Sequence, residues 1–114
     1  MATRAMTDSS IHKAIAEMVR RIATRFQPHK IILFGSYARG EAGPDSDVDL
    51  LVVMPPHGSK RERAAEIYGL LAGMGLAKDV IVVTPEEFEA YSDAPGTVIR
   101  TARQEGKVLY DQAA

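Results

Sequence analysis

The chain contains no cysteine. That excludes disulfides and cysteine-ligated zinc, and it agrees with a cytoplasmic setting. It also lacks a long apolar run. Runs such as Ile31-Ile32-Leu33-Phe34 and Val80-Ile81-Val82-Val83 are far short of the roughly 20 residues that span a bilayer. No apolar stretch follows Arg4, so no signal peptide is read at the N-terminus. Nor is there an excess of either charge. Acidic residues number 15 and basic residues 14, for a net charge of -1, whereas a duplex-binding protein normally carries a basic excess or stripe. The one dense basic run, Lys60, Arg61 and Arg63, is interrupted by Glu62 and reads as a solvated helix start. These absences leave no membrane partner and no strong nucleic-acid signal. Internal repeats and low-complexity segments are missing as well.

What is present fits one domain over residues 1–114, with 46% hydrophobic residues, the usual share for a globular protein with one core. The capping cluster Thr7-Asp8-Ser9-Ser10 precedes Ile11, Ile15, Met18, Ile22 and Phe26 at helical spacing, and Pro28 closes that helix. Lys30 to Phe34 and Val48 to Met54 are compact runs rich in β-branched residues and predict buried strands. A helix is expected from Lys60 to Met74, with Ala64, Ile67, Tyr68, Leu71 and Met74 on one face and Gly75 as its stop. Asp79 to Val83 is a third strand. Thr84-Pro85-Glu86-Glu87 then opens a helix with a capping box, and Val83 and Phe88 can form a hydrophobic staple. A last helix runs from after Pro95-Gly96 to about Glu105, and Lys107 to Tyr110 forms a short final strand. Among the first three strands, only the second and third have a full helix between them. The order therefore predicts an α/β (α+β) fold, a mixed β-sheet with helices packed against it rather than a doubly wound parallel sheet.

The chemistry concentrates between Phe34 and Leu50. A strand runs into Gly35-Ser36 and then a helical turn, where glycine permits close approach of a ligand, amides can face an anion and the Ser36 hydroxyl adds a donor. Taken alone, this is also an ordinary strand-to-helix turn. Asp47 and Asp49 lie two apart, so on a strand they share one face. Carboxylates about 4 Å apart repel by roughly 4 kcal/mol at an effective dielectric of about 20, which asks for a compensating cation. Magnesium takes carboxylate and phosphate oxygens together and meets that need. Asp79 heads the third strand, and three acids meet at one edge if the two strands are neighbours; the alternative is a solvated strand start after Lys78. Arg39 can reach phosphates from the helical turn or stand solvated, and Tyr37 can stack on a base or pack. His12, His29 and His57 are scattered without metal-site spacing. An EF-hand loop would need glycine at Leu50 and glutamate at Pro56. A Walker A loop would need lysine where Glu41 stands, and a dinucleotide fingerprint would need glycine at Tyr37.

The pattern Gly35-Ser36-Tyr37-Ala38-Arg39-Gly40 followed by Ser46-Asp47-Val48-Asp49-Leu50 resembles the signature of the polymerase-β superfamily of nucleotidyltransferases, and within it the minimal (MNT-domain) branch. The resemblance runs on through Asp79-Val80-Ile81-Val82 to Glu105-Gly106-Lys107-Val108-Leu109-Tyr110. It implies the nucleotidyltransferase fold and transfer of a nucleoside monophosphate, AMP from ATP, to an acceptor hydroxyl with release of pyrophosphate. It further implies two magnesium ions on Asp47, Asp49 and Asp79, nucleotide contacts from Gly35, Ser36 and Arg39, and nucleophile activation at Asp79. MNT-domain proteins of this size are similar to antitoxins paired with HEPN-domain RNase toxins, in which a toxin tyrosine can be the acceptor. A small-molecule transferase resembling the aminoglycoside-modifying enzymes, and an antitoxin that binds without catalysis, are the other expectations. Each of these leaves room for a homo- or hetero-oligomer.

Overall fold

The computed structural model describes residues 8–114. Arg4 and Thr7, and with them the readings of a signal-free N-terminus and of the first capping residue, lie outside the described residues. The elements are α1 (Asp8–Phe26), β1 (Lys30–Phe34), α2 (Ser36–Arg39), β2 (Val48–Val53), α3 (Lys60–Leu70), β3 (Lys78–Val83), α4 (Pro85–Ala90), α5 (Val98–Glu105) and β4 (Lys107–Asp111). No helix among them is long and apolar enough to cross a membrane.

The strands form one sheet in the order β3-β2-β1-β4. β1 pairs antiparallel with β2 and with β4, whereas β2 and β3 are parallel. Parallel neighbours need a crossover connection, and α3 supplies it. The mixed sheet expected from the element order is therefore present.

Alternation along the strands divides the core in two. Ile31, Leu33, Leu50, Val52, Val80 and Val82 face α1 and α3, where Ile15, Met18, Ile22, Ile67 and Leu71 meet them. Ile32, Phe34, Leu51, Val53 and Val83 face Phe88 of α4 and Ile99 and Ala102 of α5. β2 is covered on both sides. Val48, Leu50, Leu51 and Val52 are wholly buried, and the one charged residue in the strand is Asp49.

Helix starts follow the local sequence. Ser59, Thr84 and Thr97 each accept a backbone N–H from the first turn of α3, α4 and α5, and Thr84 with Glu87 completes the capping box. Val83 and Phe88 join the same apolar cluster, as the staple requires. Lys60 and Arg63 of the basic run pair with Glu87 and Glu66 on the protein's own surface.

Two expectations need correction. α3 ends at Leu70 instead of Met74, because the chain then turns through Gly73 and Gly75 at φ 82° and 78°, a left-handed conformation that glycine adopts without strain. Tyr68 does not share the core face of Ile67 and Leu71. It is 37% exposed while those two are wholly buried.

Leu50→Ala should destabilise the fold by about 2–5 kcal/mol, because the cavity opens in a strand packed on both faces. Thr84→Ala should cost about 1 kcal/mol through the lost cap. Equilibrium urea denaturation of both variants checks the contrast.

Candidate active site

The end of β1 and the start of β2 are brought together by the antiparallel ladder, in which Phe34 stands opposite Asp49. Gly35 follows at φ 74°, ψ -156°, a region essentially reserved for glycine. The space beside it is taken as well, since a Cβ on Gly35 would collide with the Asp49 carboxylate. Glycine is thus required both by its own backbone and by the acid that lies against it. The amides of Ala38 and Arg39 both donate to the Gly35 carbonyl, each at 3.1 Å. Those of Ser36 and Tyr37 stand ahead of this first bonded turn. Gly40, left-handed at φ 73°, closes the short helix. Among the described residues the Ser36 hydroxyl has no hydrogen-bond partner.

The parallel ladder places Asp79 directly opposite Asp49. Asp47 lies just ahead of β2 and is exposed, as is Asp79, while Asp49 is half-buried. The Asp49 carboxyl is pushed above the usual carboxylate value, first by burial and then by the negative charges of Asp79 and Asp47; Arg39 opposes the shift. Asp49 therefore feels both neighbouring acids at the strand starts. Among the described residues, however, no three His, Asp or Glu side chains are gathered in a ligating arrangement. Like charges separate, and Asp79 has another donor: its Oδ1 accepts the Tyr68 hydroxyl at 3.1 Å. The donor set is nonetheless all carboxylate oxygen beside a glycine turn, which suits a hard divalent cation and a phosphate chain.

Arg39 lies next to this edge with its guanidinium engaged. Its Nε donates to Glu41 Oε1 at 2.8 Å and one terminal nitrogen lies 3.6 Å from Glu105 Oε1. Tyr37 packs against the core, consistent with the packing reading. Two surface cavities, of about 330 and 270 Å³, are lined partly by residues of β4; neither is lined by Asp47, Asp49 or Asp79, although Tyr37 of α2 borders the first.

Tyr68 is the participant that the sequence did not disclose. Its hydroxyl accepts the Val80 N–H at 2.8 Å and donates to Asp79, and burial keeps the phenol protonated well into the basic range. In the sequence it is one more large residue on an amphipathic helix. Only the crossover from α3 into β3 brings it to the acid.

The sequence profile of the nucleotidyltransferase domain family matches residues 15–109. The chain belongs to the nucleotidyltransferase domain family. A poly(A) polymerase, PAPa, of Candida albicans is 35% identical over 86 residues, covering 75% of this chain and 15% of that protein. A candidate protein adenylyltransferase of Methanocaldococcus jannaschii is 49% identical over 43 residues, covering 36% of this chain and 43% of that protein. The protein adenylyltransferase MntA of Thermococcus cleftensis is 43% identical over 47 residues, covering 41% of this chain and 48% of that protein. The chain spans less than half the length of each of these relatives. The solved structure of a candidate nucleotidyltransferase from Sulfolobus solfataricus superposes with a TM-score of 0.64 at 21% identity, covering 97% of this chain and 95% of that one. The mixed sheet flanked by helices is thus the nucleotidyltransferase fold.

A raised Asp49 carboxyl has a consequence for the stability of this nucleotidyltransferase domain. The folded state holds the Asp49 proton more tightly than the unfolded chain does, so stability is lost as pH rises from about 3.8 through the raised folded value. Asp49→Asn should therefore raise the melting temperature in metal-free buffer at pH 7. That gain should shrink as pH approaches 4. Melting curves of wild type and variant across this range check the sign.

Proposed function

We propose that the chain is a minimal nucleotidyltransferase domain that transfers a nucleoside monophosphate, AMP from ATP, to an acceptor hydroxyl. The observation that carries the reading is the parallel register of Asp49 and Asp79 beside the Gly35 turn. In the reaction, a bond forms between the acceptor oxygen and the α-phosphorus. The bond from that phosphorus to the oxygen bridging to the β-phosphate breaks, and pyrophosphate leaves.

Each residue has a role in this scheme. The missing side chain at Gly35 lets the Asp49 carboxylate lie against the turn, and the Ser36 hydroxyl and the leading amides of α2 donate to the triphosphate oxygens. Arg39 adds positive charge once it leaves Glu41 or shares it. Asp47, Asp49 and Asp79 would hold two magnesium ions, which supply charge neutralisation for the attacking and leaving oxygens. Asp79 lies on the edge strand, exposed to an incoming acceptor, and assists removal of the acceptor proton.

For the acceptor we favour a tyrosine of a partner protein, with a HEPN-domain toxin as the partner implied by the family resemblance. Two relatives named as protein adenylyltransferases, 49% and 43% identical over their matched stretches, support this choice. The relative that is a poly(A) polymerase favours RNA as a second acceptor class. Against it stands the balance of 14 basic and 15 acidic residues, which supplies no basic track for a polynucleotide.

Incubation with magnesium and ATP labelled at the α-phosphate tests the reading. Label should pass to a co-purified protein. Label on a small molecule or on RNA would replace the acceptor, and tight complex formation with no transfer would leave only a binding role. Asp79→Asn should spare most ATP–magnesium binding and abolish transfer, whereas Asp47→Asn should damage both.

Ser36→Ala should weaken triphosphate binding by roughly 1.5–3 kcal/mol, the cost of one hydrogen bond to a charged group. Calorimetric titration with ATP measures it. An affinity equal to wild type would reduce Ser36 to a turn residue.

A further inference from the structure

Tyr68 stands 11 positions before Asp79 in the chain, yet its hydroxyl touches both that carboxylate and the next backbone amide. β3 is the outermost strand of the sheet. The Val80 N–H points outward, away from β2, and donates to the Tyr68 oxygen at 2.8 Å. A phenol carries one proton. With its oxygen anchored by Val80, that proton is directed at Asp79 Oδ1, 3.1 Å away. The ring is carried by α3, whose Ile67 and the following Leu71 are wholly buried, so the donor sits on a fixed support.

We propose that Tyr68 is a positioning residue for Asp79, fixing one carboxylate oxygen so that the other is presented to a divalent cation at the acidic edge. The inference rests on the nucleotidyltransferase reading and adds to it a residue outside the Gly35-Ser36 and Asp47-Val48-Asp49 signature. An exposed aspartate at a strand start is otherwise free to rotate, and each rotation away from the site weakens a ligand set of only three carboxylates. Hydrogen bonds of this kind orient ligating carboxylates, and their loss typically costs 10–100-fold in metal affinity or activity.

Tyr68→Phe tests this, since it removes only a hydroxyl at a partly exposed edge and should preserve the fold. Manganese binding is read by electron paramagnetic resonance in the presence of a non-hydrolysable ATP analogue. The variant should bind the manganese ion beyond the one carried by the nucleotide about 10–100-fold more weakly. In turnover, kcat should fall while KM for ATP stays within a factor of two to three. Introduced into Asp79→Asn, the same change should weaken manganese binding no further, because Tyr68 acts through the Asp79 carboxylate. Unaltered manganese affinity in Tyr68→Phe, or an equal loss in the Asp79→Asn background, would overturn the positioning role alone. A wild-type protein that binds no manganese with the analogue would overturn the transferase reading and this inference together.

Discussion

Two neighbouring strands that run parallel cannot choose their register freely once both faces are packed. A shift of one residue would send every apolar side chain of β2 or β3 to the opposite face. The register that buries Leu50, Val52, Val80 and Val82 on one side and Leu51, Val53 and Val83 on the other also sets Asp49 against Asp79. Parallel strands lie about 4.8 Å apart. Carboxylates held at that spacing would repel by roughly 3.5 kcal/mol at an effective dielectric of about 20. Hydrophobic packing over six paired positions holds that repulsion in place. The site is a consequence of the core.

The core also sets the electrostatic character of the site. Over residues 47–51 the chain passes from exposed Asp47, just ahead of β2, through half-buried Asp49 to wholly buried Leu50 and Leu51. Charges at such a boundary are only partly hydrated, and their mutual influence is stronger than on an open surface. Burial is the first cause of the shift at Asp49, ahead of either neighbouring acid. Gly35 belongs to the same arrangement. Any side chain there would occupy the place where the Asp49 carboxylate lies, so the turn and the acid fit together only through glycine.

Relatives that share this domain differ in what their names say they modify: one is a poly(A) polymerase, two are protein adenylyltransferases. A common sheet edge can serve them all, because phosphoryl transfer asks chiefly for positioned charge. Choice of acceptor belongs to the surfaces around that edge. This chain carries 14 basic and 15 acidic residues overall, and Lys60 and Arg63 near the start of α3 are paired with Glu87 and Glu66.

The sequence by itself determined most of the elements and singled out the candidate site. Periodicity placed α1, the four strands and the late helices. Capping residues fixed the start of α4, and the helix between the second and third strands foretold a mixed sheet. Gly35-Ser36 and the Asp47–Asp49 pair were legible because their chemistry is local, carried by residues close in the chain. Other features were decided by the tertiary structure. The helix expected to reach Met74 stops at Leu70, because the chain must turn back at Gly73 and Gly75 to enter β3. Asp79 became a neighbour of Asp49 only through the crossover and the register it allows. Tyr68, which spacing alone assigned to the apolar face, meets Asp79 because the edge of a sheet leaves an amide to be satisfied from outside. Local patterns record what a residue can do; which partner it meets depends on how distant segments pack.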